Sequence, residues 1–68
     1  MIFIIGMKAL KELLSDDDHS ALIALTKLPK NEDKLKKLKS FFLQSHIFNV
    51  IKDQIDPMFL AYEIYLTH

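Results

Sequence analysis

The chain has 68 residues, half of them hydrophobic, with no net formal charge and no cysteine. A chain this short makes one domain and buries only about 60% of the surface its unfolded form exposes. Disulfides and thiolate metal sites are excluded as supports, and zero net charge does not indicate a strongly basic nucleic-acid binder; all nine basic residues are lysine, which counts modestly against sequence-specific DNA reading, because arginine is the better partner for phosphate and guanine.

The first stretch, "MIFIIG", is an apolar run closed by the only glycine. It is far shorter than the roughly 20 residues that span a bilayer and shorter than the core of a secretory signal, about 7–15 residues. The expected organisation is an apolar leader over 1–6 and a single helical domain over 7–68, located in the cytoplasm. If the leader is ordered, its side chains need a cover, which makes Phe3 and Ile5 candidate partner-binding residues.

From Met7 to about Leu14 the pattern is helical, with Met7, Leu10, Leu13 and Leu14 on one face and Lys8, Lys11 and Glu12 on the other. "SDDDHSALIALTKLP" predicts the second helix. Ser15 is placed to cap it, and Asp18 three residues later completes a variant of the capping box. Asp16, Asp17 and Asp18 sit at the positive end of the helix dipole. Ala21, Leu22, Leu25 and Leu28 form the expected buried stripe, and Pro29 stops the helix.

Asn31 predicts the cap of a third helix, with Glu32 and Asp33 in its first turn. Glu32–Lys36 and Asp33–Lys37 have the acid-first i,i+4 order that supports helices by roughly 0.2–0.5 kcal/mol per pair. Leu35, Leu38, Phe41 and Phe42 share a face. Beyond Leu43 the apolar direction changes, and Ile47, Val50, Ile51 and Ile55 define a new stripe. A break at "QSH" is therefore expected, with Ser45 capping a fourth helix to about Ile55; one long helix buried on different sides is the rival.

"DPMFLAYEIYL" predicts the last helix, with Asp56 as cap and Pro57 at the first helical position, where its missing N–H costs nothing. The helix is apolar on nearly every side, so it should be buried in the fold or in an interface. The fold class expected is a small all-α bundle of four or five short helices. The minor alternative pairs "AYEIYL" with the N-terminal segment as two short strands.

The sequence offers no catalytic constellation. Ser45–His46 and His19–Ser20 are only sequence neighbours, and a nucleophile–base pair needs hydrogen-bond geometry and a third orienting group. Asp16 and His19 could share a helix face, but two ligands do not make a zinc site and the calcium-loop spacing fails. Neither catalytic nor metal residues nor a cofactor are expected. Lys30, Lys34, Lys36, Lys37 and Lys39 belong to the one charge asymmetry, a candidate phosphate- or acid-binding surface that is better explained as the solvated back of the third helix, partly paired with its own acids. Tyr62 and Tyr65 are candidate interface residues, since tyrosine joins apolar area to a hydroxyl.

These features predict a small non-enzymatic protein–protein interaction module of the regulator, inhibitor or antitoxin type, binding a larger protein or itself as a dimer. Its motive is surplus apolar surface on a chain too small to hide it. Two alternatives stand beside it. One is a helix–turn–helix-like nucleic-acid-binding regulator using the lysine-rich third helix. The other, for which the sequence offers less, is a membrane-surface protein inserting Met1–Ile5 beside Lys8 and Lys11.

Overall fold

A computed structural model describes residues 7–68, with side chains described from Leu10 onward. The leader, including Phe3 and Ile5, lies outside the described residues. Within them the chain forms five helices and no strand: α1 Met7–Leu13, α2 Asp16–Thr26, α3 Glu32–Leu43, α4 Ser45–Ile51 and α5 Pro57–Thr67. The fold is all-α. The strand alternative for "AYEIYL" fails because those residues continue α5.

Three of the helix starts follow directly from the capping residues. The Ser15 hydroxyl accepts from the Asp18 N–H at 3.2 Å. The Asn31 side chain accepts from the Lys34 N–H at 3.1 Å. The Asp56 carboxylate accepts from the Met58 N–H at 2.9 Å, with Pro57 opening α5. Each side chain satisfies one of the donors that a helix N-terminus leaves without a partner.

The break after Leu43 falls at Gln44, which is extended and serves as C-cap of α3 and N-cap of α4. Ser45 is inside α4 and does not cap it; no side chain does. α4 also ends at Ile51 and not at Ile55. The next residues form a turn in which the N–H groups of Gln54 and Ile55 both donate to the Ile51 carbonyl. A helix running on to Asp56 would conflict with Pro57, whose ring pushes the preceding residue out of the α region.

α3 is the organising element. It packs most extensively on α5 and also meets α2 and α4, while α1 rests on α2. Leu38, Phe41 and Phe42 of α3 are buried, and the two phenylalanine rings meet edge to face, 5.0 Å apart at 88°. α5 answers with Leu60, Ala61 and Ile64, α4 with Ile47 and Ile51, and Leu10 of α1, Leu14 of the following connection and Leu22 of α2 close the core. Leu25 packs against this cluster from its edge. Ala21 and Val50, expected on buried stripes, face solvent instead. α2 buries only Leu22 fully and α4 only Ile47 and Ile51, so their buried stripes are narrower than their apolar sequences suggest.

Among the described residues, one buried side chain is charged. Lys34 is 1% exposed, and its ammonium donates to the carbonyl oxygens of Thr26 at 2.9 Å and His68 at 2.8 Å. Thr26 is the last residue of α2, and His68 is the C-cap of α5. One cation thus sits where the negative ends of two helices converge, and it partners carbonyls that no helical N–H can reach.

Candidate functional site

α5 has two apolar faces. Pro57, Leu60, Ala61 and Ile64 turn inward. Phe59, Tyr62 and Leu66, spaced i, i+3 and i+7, lie on the other side and are 48%, 51% and 52% exposed. Among the described residues, no other helix leaves three large hydrophobic side chains exposed. Tyr65 lies at the margin of this stripe, partly packed on the core, with its ring 6.2 Å from that of Tyr62. The structure therefore places Tyr62 on the outer stripe and Tyr65 on the boundary. Phe59 and Leu66 were not singled out from the sequence. Their spacing was readable there, but a helix apolar all round does not reveal which face its neighbours will cover.

The predicted lysine surface divides into two groups. Lys34 does not belong to it: its position four residues before Leu38, and seven and eight before Phe41 and Phe42, puts it on the core stripe of α3, and its ammonium is held by backbone carbonyls. Lys30 is exposed but also turns to the end of α5. It donates to the Leu66 carbonyl at 3.0 Å and lies 5.6 Å from the centroid of the Tyr65 ring. Both lysines follow the preference of cations for helix C-termini. Lys36, Lys37 and Lys39 point outward from α3. Of the two expected i,i+4 pairs, Asp33–Lys37 closes at 3.5 Å. Both partners are well exposed, so the pair contributes little.

An open groove of about 300 Å³ runs between α2 and α3. Leu25 and Phe41 form its floor, and Lys36, Lys37, Ser40 and Gln44 surround it. Phe41 offers little area there, because it is 5% exposed and packs edge to face with Phe42.

The acidic start of α2 is engaged from α4. The His46 Nε2 lies 3.2 Å from Oδ1 and 3.1 Å from Oδ2 of Asp18. The hydrogen bond to His46 is the main cause holding the Asp18 carboxyl below its ordinary value of 3.8; partial burial opposes the shift, while Ser15 and the charge of His46 add to it. A depressed carboxylate pKa stabilises the fold above the unfolded value, and that contribution fades as pH falls from there through the lowered folded value. Asp18→Asn should therefore flatten part of the acid limb of the stability curve. Urea titrations at stepped pH should show variant and wild type converging below about pH 3.8. An offset independent of pH would contradict this.

Among the described residues no group of three or more histidine, cysteine, aspartate or glutamate side chains could hold a metal ion. Asp16 and His19 are not drawn into a site, and the buried Nε2 of His19 has no hydrogen-bond partner there. No helix among the described residues is long and apolar enough to cross a membrane. Comparison with protein-family models, with curated proteins and with solved structures finds no match to this chain.

Proposed function

We propose that this chain is a small non-enzymatic interaction module, regulator- or inhibitor-like, that works by docking its outer α5 face on a protein, either a larger partner or a second copy. The observation that carries the reading is the half-exposed stripe of Phe59, Tyr62 and Leu66. Aromatic residues at the centre of an apolar patch are what interfaces use most, and a contiguous stripe is costly to leave in water on so small a domain. Lys30 holding the Leu66 carbonyl and stacking on Tyr65 keeps the end of this helix in place, so the face is presented on a rigid element.

The test combines light scattering after size exclusion with affinity capture, using wild type and a Phe59→Ser, Tyr62→Ser, Leu66→Ser triple variant. All three positions are exposed, so the variant should stay folded, and each anchor removed should weaken association by about 1–2 kcal/mol. Wild type is expected to dimerise or to retain a protein that the variant loses. A wild type that remains monomeric and captures nothing removes the reading.

A nucleic-acid reading keeps a specific footing in Lys36, Lys37 and Lys39, which are exposed on α3, the helix that follows α2 after a short connection. It predicts affinity falling steeply with salt, with a log–log slope near −0.9 for each phosphate contacted.

A further inference from the structure

From the α2–α3 groove we infer a second docking site, one that takes an acidic peptide segment bearing a single apolar anchor side chain. The proposal rests on the reading of the chain as a protein-binding module, but it uses none of the α5 stripe residues. The groove is about 300 Å³ and open along its length. That is the small end of ligand pockets, about 300–1,000 Å³, and its openness suits a chain segment lying across the surface better than an enclosed small molecule. Its floor, Leu25 and Phe41, is apolar and needs an apolar occupant.

The rim determines the charge of that occupant. Lys36 and Lys37 border the groove and no acidic side chain lines it. Lys36 closes no ion pair among the described residues, and the bond of Lys37 to Asp33 is long and solvent-exposed. A carboxylate on each side of the anchor would meet an ammonium, and the Ser40 hydroxyl and Gln44 amide are placed to bind the peptide backbone. Nucleic acid fits less well. Phe41 is almost fully buried and leaves little ring area for a base to stack on, and the apolar floor would be left wet under a phosphate backbone.

The probe is a short synthetic peptide with one leucine flanked on both sides by glutamates, titrated into the isotope-labelled full chain and followed by amide chemical shifts. Its controls are the same peptide with lysines for glutamates, and a single-stranded oligothymidylate. Saturable shifts confined to the neighbourhood of Leu25, Lys36, Lys37, Ser40, Phe41 and Gln44 are expected from the acidic peptide only. Lys36→Glu with Lys37→Glu should weaken it about tenfold or more at low salt. Ser40→Trp, which fills the groove without changing charge, should abolish it, and both variants alter exposed positions, so circular dichroism should show both still folded. The α5 triple variant should bind the peptide as wild type does, so failure of one surface is distinguishable from failure of the other. Absent or unsaturable shifts overturn the proposal, as does equal binding of the lysine peptide. Tighter binding of the oligothymidylate at the same residues overturns it in favour of a phosphate surface.

Discussion

Lys34→Ala is expected to lower stability by about 3 kcal/mol, and Lys34→Met by about half as much. The alanine variant loses three buried methylenes, at about 0.8 kcal/mol each, and leaves the Thr26 and His68 carbonyls without their cation. Hydrogen bonds to charged groups are worth about 1.5–3 kcal/mol each, and removing a buried charge gives some of that back by sparing its desolvation. Methionine keeps most of the stem volume and isolates the polar part. A chain of 68 residues has about 3–10 kcal/mol of stability in total at the usual per-residue value, so the alanine variant sits near the edge of folding. Thermal and urea unfolding followed by circular dichroism measure both, with about 4–8 °C lost per kcal/mol in a domain of this size. A methionine variant as stable as wild type would show that the ammonium is not the joint between α2, α3 and α5.

Phe42→Ala should cost about 3–5 kcal/mol, the usual range for truncating a buried phenylalanine. The side chain is fully buried on α3, the helix that α2, α4 and α5 all contact. A cavity there cannot be filled from one side without uncovering another, and the edge-to-face contact with Phe41 is lost as well. Phe59→Ala, the same chemical change on the exposed face of α5, should move stability by under about 0.5–1 kcal/mol. The contrast is the measurement: unfolding curves of the two variants should differ by several kcal/mol. Similar losses would mean that α5 packs through a different face.

The two predictions bracket what could be read from residues alone. Helix starts were legible because capping is local: Ser15, Asn31 and Asp56 each bond a backbone N–H two or three residues away, and Pro57 is confined to a first turn. The break after Leu43 was legible because the apolar stripe changes direction there. Its details were not. Gln44, an ordinary helix former, is extended where α3 gives way to α4. Ser45, the better capping residue by type, ends up one position too late to act.

The candidate site was harder to read for the same reason. Tyr62 was identified by residue type, yet Phe59 and Leu66 look equally suited to the core, and only the docking of α5 on α3 decides which side of an all-apolar helix stays in water. Lys34 is the converse case: its spacing to Leu38 and Phe42 places it on the core stripe, while its charge argues for the surface. The two helix ends that meet at its ammonium come from residues eight and thirty-four positions away. The sequence by itself determined the helical class, the starts of α2, α3 and α5, and the apolar stripes, because these depend on neighbours within one or two turns. The tertiary structure alone decided which stripe is buried, where α4 ends and which lysines face solvent, because those depend on which helices pack together and on what their ends then leave unpaired.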